Sequence, residues 1–169
     1  MTRKEIIDLY QRNARRLYNM SFRITGDGAD AEEVVQDTVL KFISLPLRPA
    51  REEQVSAWLS RTCIRASVDR LRKRRREALF LAEYAAEQEV AAPEEEAVDT
   101  DAIGPARVLA AMQSLPDPYR LVVTLVLAEG LDYDEIASFT GQKPGTLRSL
   151  FSRGKQKLVQ LLKEDGKQV

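Results

Sequence analysis

The sequence predicts an all-α protein of two small helical domains joined by an acidic, flexible linker. Apolar residues recur at helical spacing in both halves of the 169-residue chain, and helix-start and helix-stop residues separate these stretches. Between the halves, residues 83–101 contain no Lys or Arg and have no periodic apolar face after about Tyr84. We therefore predict domains at 1–85 and 105–169, with a linker at 86–104.

The N-terminal domain is predicted to contain three or four helices. The run Thr25–Gly28 breaks the first, the second covers about 29–44, and the third extends from near Glu53 to at least Arg76. The residues expected in the core from the first two helices are Ile6, Leu9, Tyr10, Leu17, Met20, Ile24, Val35, Val39, Phe42 and Ile43. The second helix has an opposite, polar side made of Glu32, Glu33, Gln36, Asp37 and Lys41.

The C-terminal domain is predicted to contain four helices. The first carries Val108, Leu109 and Met112, and Asp117 before Pro118 marks the start of the second. The second helix is expected to end at Glu129-Gly130 and to bury Leu121, Val122, Leu125, Val126 and Leu127.

The last two helices form a helix-turn-helix pattern. Asp132 and Glu135 have the spacing of a capping box, Gly141 favours a helix exit, and Pro144 suits the first turn of the next helix. The final helix divides into an apolar face and a polar face. The apolar face contains Leu147, Leu150, Phe151, Gly154, Leu158, Leu161 and Leu162, and the polar face contains Arg148, Ser149, Ser152, Arg153, Lys155 and Gln156. This arrangement is typical of DNA-reading proteins.

Pairs of amphipathic helices also occur in ordinary helical bundles. The distribution of charge therefore has to decide whether these two helices bind DNA. From Ile136 to Lys163 the chain has six Lys or Arg and no acid, which favours a phosphate-binding surface. A second basic stretch, Arg61–Arg76, contains Asp69 as its only acid. Within it, Arg61, Arg65, Arg72 and Arg76 share one narrow sector with Trp58, which indicates a second nucleic-acid contact. Trp58 itself has two interpretations, a core residue or an edge that packs on a base.

Composition excludes several functions. The chain has no His, one Cys and no phosphate-binding Gly-rich loop, so His-based catalysis and an internal disulfide are ruled out. Cys63 is interpreted as a small buried apolar residue. We expect no metal, cofactor or small-molecule substrate. We also expect a cytoplasmic location, since the sequence contains neither a membrane span nor a signal peptide.

Three blocks of the sequence, in this order, resemble bacterial sigma factors of the extracytoplasmic-function (ECF) type. They are Gly26–Ile43, Ala57–Arg76 and Ser114–Leu158, and together they extend over nearly the whole chain. The resemblance implies that the first block docks on the clamp helices of core RNA polymerase. The second would contact the promoter −10 element, and the third would recognise the −35 element. The domains would then be sigma domains 2 and 4, and the protein would be no enzyme.

The resemblance also implies roles for individual residues. The residues implied to bind polymerase are Asp30, Glu33, Val34, Gln36 and Asp37, and those implied at the −10 element are Trp58, Arg61, Arg65, Arg72, Lys73 and Arg76. The residues implied at the −35 element are Lys143, Thr146, Arg148, Ser149, Ser152, Arg153, Lys155 and Lys157. The loop Leu47–Ser56 would form a pocket for a flipped −10 base. The implied partners are promoter DNA, the clamp helices and flap of core polymerase, and an anti-sigma factor.

The sequence departs from the family pattern in three places. Lys143 replaces the usual Ser or Thr cap of the recognition helix, Cys63-Ile64-Arg65 replaces a frequent Ala-Arg-Asn, and Ser152 replaces a large side chain. The alternative function is a stand-alone helix-turn-helix regulator with an N-terminal sensor or dimerisation domain, which would bind a palindromic site without polymerase. An adaptor protein and an enzyme are the remaining alternatives.

Overall fold

The computed structural model describes residues 1–77 and 104–167, and within these ranges the regular structure is helical. The described residues fall into two compact units, one within Met1–Lys73 and one within Arg74–Val169. The all-α prediction is confirmed for these residues. The predicted linker at 86–104 lies outside them except for Gly104, as does the stretch 78–85 of the predicted N-terminal domain. No helix in the described part is both long and apolar enough to span a bilayer.

The N-terminal unit is built from α1 (Arg3–Thr25), α2 (Gly28–Ile43) and α3 (Glu52–Glu77), and the last turn of α3 extends beyond the boundary of the unit at Lys73. At the start of α1, the Glu5 N–H donates to Thr2 Oγ1 and the Thr2 N–H donates to Glu5 Oε2, which is a complete capping box. Gly26 ends α1 with a φ of 67°, and the Asp27 carboxylate then accepts the Asp30 N–H at 2.9 Å. The predicted break is thus a glycine exit followed directly by an aspartate cap.

The core of the N-terminal unit joins the apolar faces of the three helices. Its buried apolar residues are Leu9, Leu17, Met20, Ile24, Ala31, Val34, Val35, Val39, Phe42, Leu59, Cys63, Ile64, Val68 and Leu71. Small polar residues fit where α1 meets α3: the hydroxyls of Ser21 and Ser67 lie 2.8 Å apart, and Ser67 Oγ lies 2.8 Å from the Cys63 carbonyl oxygen. Cys63 is fully buried, as its interpretation required.

Four residues of this unit differ from their predictions. Tyr10 is 44% exposed rather than in the core, and Ile6 and Ile43 are only half-buried. The prediction that Val34 contributes to a docking surface is wrong, because its side chain is fully enclosed on the core stripe of α2. Val34 is four residues before Thr38, whose hydroxyl donates to the Val34 carbonyl oxygen at 2.7 Å, and both side chains face inward.

The C-terminal unit contains α4 (Pro105–Gln113), α5 (Asp117–Val123), a π-helical turn (Thr124–Ala128), α6 (Tyr133–Thr140) and α7 (Pro144–Lys167). The capping box of α6 is present, with the Glu135 N–H donating to Asp132 Oδ1 at 2.8 Å and the Asp132 N–H donating to Glu135 Oε2 at 2.9 Å. Gly141 ends α6 with a φ of 72°. The Leu147 N–H then donates to the Lys143 carbonyl oxygen, which makes Lys143 the cap residue of α7.

The core of this unit packs α7 against α4 and α5. Its main cluster contains Ala111, Met112, Leu115, Val123, Leu158 and Leu162. Gly154 of α7 lies so close to α5 that a Cβ there would stand 2.7 Å from Val123 Cγ2 and 3.2 Å from Tyr119 Cβ. Arg120 is buried and bonded to the Leu115 carbonyl oxygen and to Asp117. Its guanidinium therefore ties the start of α5 to the end of α4.

Four apolar residues of this unit are more exposed than expected. Leu127 was predicted to be buried but is 52% exposed, and Leu109 of α4 is 38% exposed. Leu121 and Val126, also predicted to be buried, are half-buried. Leu127 lies in the π-helical turn, where the Glu129 N–H bonds to the Thr124 carbonyl oxygen five residues earlier. This wider turn rotates the following side chains away from the positions that the α-helical period assigns to them.

Candidate nucleic-acid interface

The polar side of α7 is the first candidate interface. Lys143, Thr146, Arg148, Ser149 and Lys155 are exposed. Ser152 and Arg153 are half-buried beside them. At about 100° per residue, Arg148, Ser149, Ser152 and Lys155 lie within an arc of about 120°. We call these four residues, with Arg153 at their edge, the reading face. The apolar side of the helix faces the core through Leu147, Leu158 and Leu162.

One side chain of the reading face is held by an aromatic ring. The guanidinium carbon of Arg148 lies 5.6 Å from the centroid of the Tyr133 ring, within the range of a cation–π contact. The Tyr133 ring in turn meets the Phe151 ring edge-on, with 6.4 Å between centroids. Tyr133 is the first residue of α6, so the first helix of the motif orients a side chain on the second. Sequence reasoning did not include Tyr133 in the site.

Lys157 is not brought to the reading face. It is nine residues after Arg148, which turns it by about 180° around the helix. Its Nζ lies 5.4 Å from the centroid of the Tyr119 ring, on the α5 side of the unit. Thr146 also lies far from the reading face, close to the angular position of Lys157, and Lys143 precedes the helix. Of the predicted −35 residues, the helix therefore groups Arg148, Ser149, Ser152, Arg153 and Lys155.

The basic stripe of α3 is the second candidate interface. Arg61, Arg65, Arg72, Lys73 and Arg76 are all exposed, and four of them fall within an arc of about 60°. We call these five residues the arginine stripe. Arg72 forms an ion pair with Asp69 at 3.5 Å, and both side chains remain open to solvent.

Trp58 lies in the same angular sector and is half-buried. Its side chain is therefore neither a fully enclosed core residue nor a fully exposed surface residue. Its ring packs edge-on against buried Phe42, with 5.5 Å between centroids. One edge of the indole therefore stabilises the core, and the remainder is available at the surface.

The polar side of α2 carries the predicted docking residues. Glu33, Gln36 and Asp37 are exposed, and Asp30 is half-buried. Arg70 of α3 bridges their carboxylates: it contacts Glu33 directly and lies 3.6 Å from Asp30 and 3.9 Å from Asp37. We call Asp30, Glu33, Gln36 and Asp37 the docking face. Leu40, which follows Asp37 by one helical turn, is 60% exposed and extends this face with an apolar side chain.

A cavity of about 700 Å³ lies in the N-terminal unit between α1 and the connection from α2 to α3. The connection contributes Arg48, Pro49 and Ala50 to its wall, and the first turns of α3 contribute Glu52, Val55 and Ser56. The residues from α1 include Glu5, Asp8, Arg12, Asn13 and Arg16. The Arg48 guanidinium holds the loop by donating to the Ile43 carbonyl oxygen at 2.7 Å. Six of the ten residues in the loop predicted to form a base pocket, Leu47–Ser56, therefore line this open cavity. The last five of the ten belong to α3 rather than to a loop.

The described residues contain no group of three or more His, Cys, Asp and Glu side chains that could hold a metal ion.

The hydrogen bond from the Thr2 N–H lowers the pKa of Glu5 at the cavity wall. Cationic and polar side chains dominate the reading face and the arginine stripe, which suits them to bind a polyanion.

These features define a class: a DNA-binding protein with a helix-turn-helix in one unit and a basic helix beside an acidic face in the other. Family models agree on both parts. Sigma-70 region 2 matches residues 9–77, and Sigma-70 region 4 matches residues 106–158. The chain belongs to the sigma-70 family, within the group of ECF sigma factors, which direct promoter-specific transcription by RNA polymerase.

Named relatives support the assignment. The ECF RNA polymerase sigma factor SigE of Mycolicibacterium smegmatis is 32% identical over 152 residues, which are 89% of this chain and 59% of that protein. The chain thus spans less than two thirds of that relative. RNA polymerase sigma factor CarQ of Myxococcus xanthus is 32% identical over 158 residues, which are 93% of this chain and 88% of CarQ.

Solved structures share the fold. The sigma factor RpoE of Bartonella quintana, crystallised with the anti-sigma factor NepR, has a TM-score of 0.57 at 22% identity. The match covers 95% of this chain and 98% of that one. The extracytoplasmic function sigma factor SigJ of Mycobacterium tuberculosis has a TM-score of 0.53 at 21% identity, over 90% of this chain and 52% of SigJ.

Proposed function

We propose that this chain binds core RNA polymerase through the docking face of α2 and positions two DNA-binding surfaces on a bipartite promoter. The arginine stripe of α3 contacts the −10 element, and the reading face of α7 contacts the −35 element. The domains that perform these roles extend over 1–85 and 105–169, and the acidic segment 86–104 links them. The C-terminal domain additionally contacts the polymerase flap.

One observation supports this proposal above the others: α3 separates two surfaces of opposite charge. Arg70 faces the carboxylates of α2, while Arg61 lies nine residues earlier and about 180° around the helix. A protein partner bound to α2 therefore leaves the arginine stripe open to DNA. A helix that bound DNA with its whole circumference would have no room for such a partner.

The cavity beside the α2–α3 connection supports local strand opening. Its volume of about 700 Å³ falls in the range of small-molecule sites and accommodates one nucleobase. Arg12, Asn13 and Arg16 provide donors and an acceptor on its wall, and Arg16 is steadied by a 2.6 Å hydrogen bond to Ser60. Because flipping a base out of the stack forfeits stacking energy, a preformed polar pocket offsets that loss.

The stand-alone regulator is not favoured. Such a protein needs a DNA-reading helix and a dimerisation surface, and it has no use for a patch of carboxylates next to a basic helix. An acidic patch on a DNA-binding unit repels DNA, so it is best explained by a second, cationic partner.

The proposal includes three further points. The chain performs no covalent chemistry and is not an enzyme, in keeping with sigma factors generally. It acts in the cytoplasm, where polymerase and DNA are found. Since the Bartonella relative was crystallised with an anti-sigma factor, we expect an anti-sigma factor to regulate this chain as well.

The test is run-off transcription with the purified chain, core RNA polymerase and promoters selected from a random DNA library. The wild-type chain should give promoter-dependent transcripts. The E33Q/D37N variant should bind core polymerase measurably more weakly, and R148M/R153M should lose −35 dependence. R15M removes one exposed cation that has no assigned role, so it is the matched control. Specific binding of the free chain to a palindromic site, without any core-dependent transcript, would favour the regulator.

A further inference from the structure

Arg70 occupies an unusual position among the arginines of α3. It lies about 180° from Arg61 around the helix and therefore outside the arginine stripe. Its Nη1 lies 3.6 Å from Asp30 Oδ1, and its Nη2 contacts Glu33 and lies 3.9 Å from Asp37 Oδ2. The Arg70 guanidinium therefore forms ion pairs with three of the four residues of the docking face.

The spacing of the carboxylates explains why a single cation reaches them all. Asp30, Glu33 and Asp37 follow the i, i+3, i+7 pattern that places side chains on one face of a helix. Without a cation between them, three like charges in a row repel one another and turn outward into water. A planar guanidinium with five donors can hold several carboxylate oxygens at once, which a lysine ammonium does less well.

The network leaves part of the face open. The Arg70 side chain is 26% exposed and that of Asp30 is 23% exposed, whereas Glu33 and Asp37 are 57% and 56% exposed. The Arg70 guanidinium therefore lies beneath the surface of the cluster, and the carboxylates of Glu33 and Asp37 remain accessible to a partner. Three acids and one cation give the cluster a net charge of −2 if all are ionised, so it still attracts a cationic protein surface.

We propose that Arg70 is a positioning residue for polymerase binding, one that holds Glu33 and Asp37 in the orientation in which core polymerase contacts them. This inference rests on the proposed docking face. Arg70 acts through the carboxylates and does not itself touch the polymerase. Ordering these side chains before binding removes an entropy cost that the complex would otherwise carry.

The affinity of the full-length chain for core RNA polymerase, without DNA, tests the inference. R70M should weaken binding by about threefold to tenfold, the range expected from ordering one or two long side chains. R70K should fall between R70M and wild type, because a lysine keeps the charge but not the planar fork. R15M, which also removes one arginine charge, should bind like wild type.

A double-mutant cycle separates positioning from other roles. In the E33Q/D37N background, R70M should have no further effect on affinity if Arg70 acts only through those carboxylates. An undiminished R70M effect in that background, or equal affinities for R70M and R15M, overturns the inference. Thermal unfolding of each variant provides the check on folding, since a merely structural arginine would lower the melting temperature while leaving the affinity of the folded fraction unchanged.

The same variants distinguish failure of this inference from failure of the proposed function. If E33Q/D37N binds core polymerase as tightly as wild type, the docking face itself is misassigned. If E33Q/D37N binds weakly while R70M binds normally, the docking face stands and only the role of Arg70 is rejected.

Discussion

The guanidinium of Arg148 lies over the ring of Tyr133, with 5.6 Å between the guanidinium carbon and the ring centroid. The pair joins the reading helix α7 to α6, and the Phe151 ring packs edge-on against the Tyr133 ring. An exposed arginine would otherwise sample many rotamers. Its approach to DNA is therefore set in part by an aromatic residue that carries no charge.

We predict that Y133A lowers −35-dependent transcription by about twofold to fivefold, the factor that corresponds to a cation–π contact of roughly 0.5–1 kcal/mol. Y133F keeps the ring and should behave like wild type. The measurement is run-off transcription on promoters with intact and scrambled −35 elements, taken as a ratio. Equal losses for Y133A and Y133F would assign the effect to the phenol hydroxyl and contradict the role of the ring.

Lys155 and Lys157 form a matched pair for a salt-dependence experiment. Lys155 lies on the reading face, whereas Lys157 is turned toward Tyr119. Each phosphate contact contributes about 0.9 to the slope of log affinity against log salt. We expect K155M to reduce the slope for holoenzyme binding to promoter DNA by about 0.9, and K157M to leave it unchanged. The prediction fails if both variants change the slope equally.

Substitution of Gly154 should destabilise the C-terminal unit. A Cβ at this position would lie 2.7 Å from Val123 Cγ2, and Val123 is fully buried. We predict that G154A lowers the free energy of unfolding by about 1–3 kcal/mol, as other overpacked cores do. The measurement is urea unfolding combined with amide hydrogen exchange in α5 and α7.

Gly145 provides the control on the same helix. A Cβ there would meet no atom within 4 Å, so G145A should be neutral or stabilise the helix by up to about 1 kcal/mol. Equal destabilisation by both substitutions would show that the effect does not come from the contact with α5.

The capping box of α1 should loosen at acidic pH. Hydrogen bonds from Thr2 lower the pKa of Glu5 in the folded chain. The capping box therefore stabilises α1 fully at a pH above the pKa of Glu5 in the unfolded chain. This stabilisation is lost as the pH falls through the pKa of Glu5 in the folded chain. Amide exchange at Thr2 and Glu5 should therefore accelerate on acidification, after correction for the intrinsic exchange rate. E5Q, which does not titrate there, should remove this pH dependence, and its persistence would assign the change to another group.

Local signals made much of the fold predictable from the sequence. The capping pair Asp132 and Glu135, the exit at Gly141 and the start at Pro144 depend only on neighbouring residues, and each is present in the structure. The buried face of α7 followed from its helical period. Cys63 was correctly interpreted as a buried residue because no partner for chemistry stood near it in the sequence.

The remaining features depend on contacts between distant segments. The helical period separated Arg70 from the arginine stripe, but its carboxylate partners became known only from the packing of α3 on α2. Val34 was misassigned because the core stripe of α2 is wider than the apolar period suggested. The π-helical turn at 124–128 altered the period locally and left Leu127 exposed. Tyr133 could not be linked to Arg148 before the angle between α6 and α7 was known.

The separation of the two sides of α7 has an evolutionary consequence. Leu147, Gly154 and Leu158 fix the helix in the core, whereas Arg148, Ser149 and Ser152 point away from it. Substitutions at the second group leave the packing of the first intact. A descendant of this chain can therefore acquire a different promoter preference in single steps, each of which yields a folded protein.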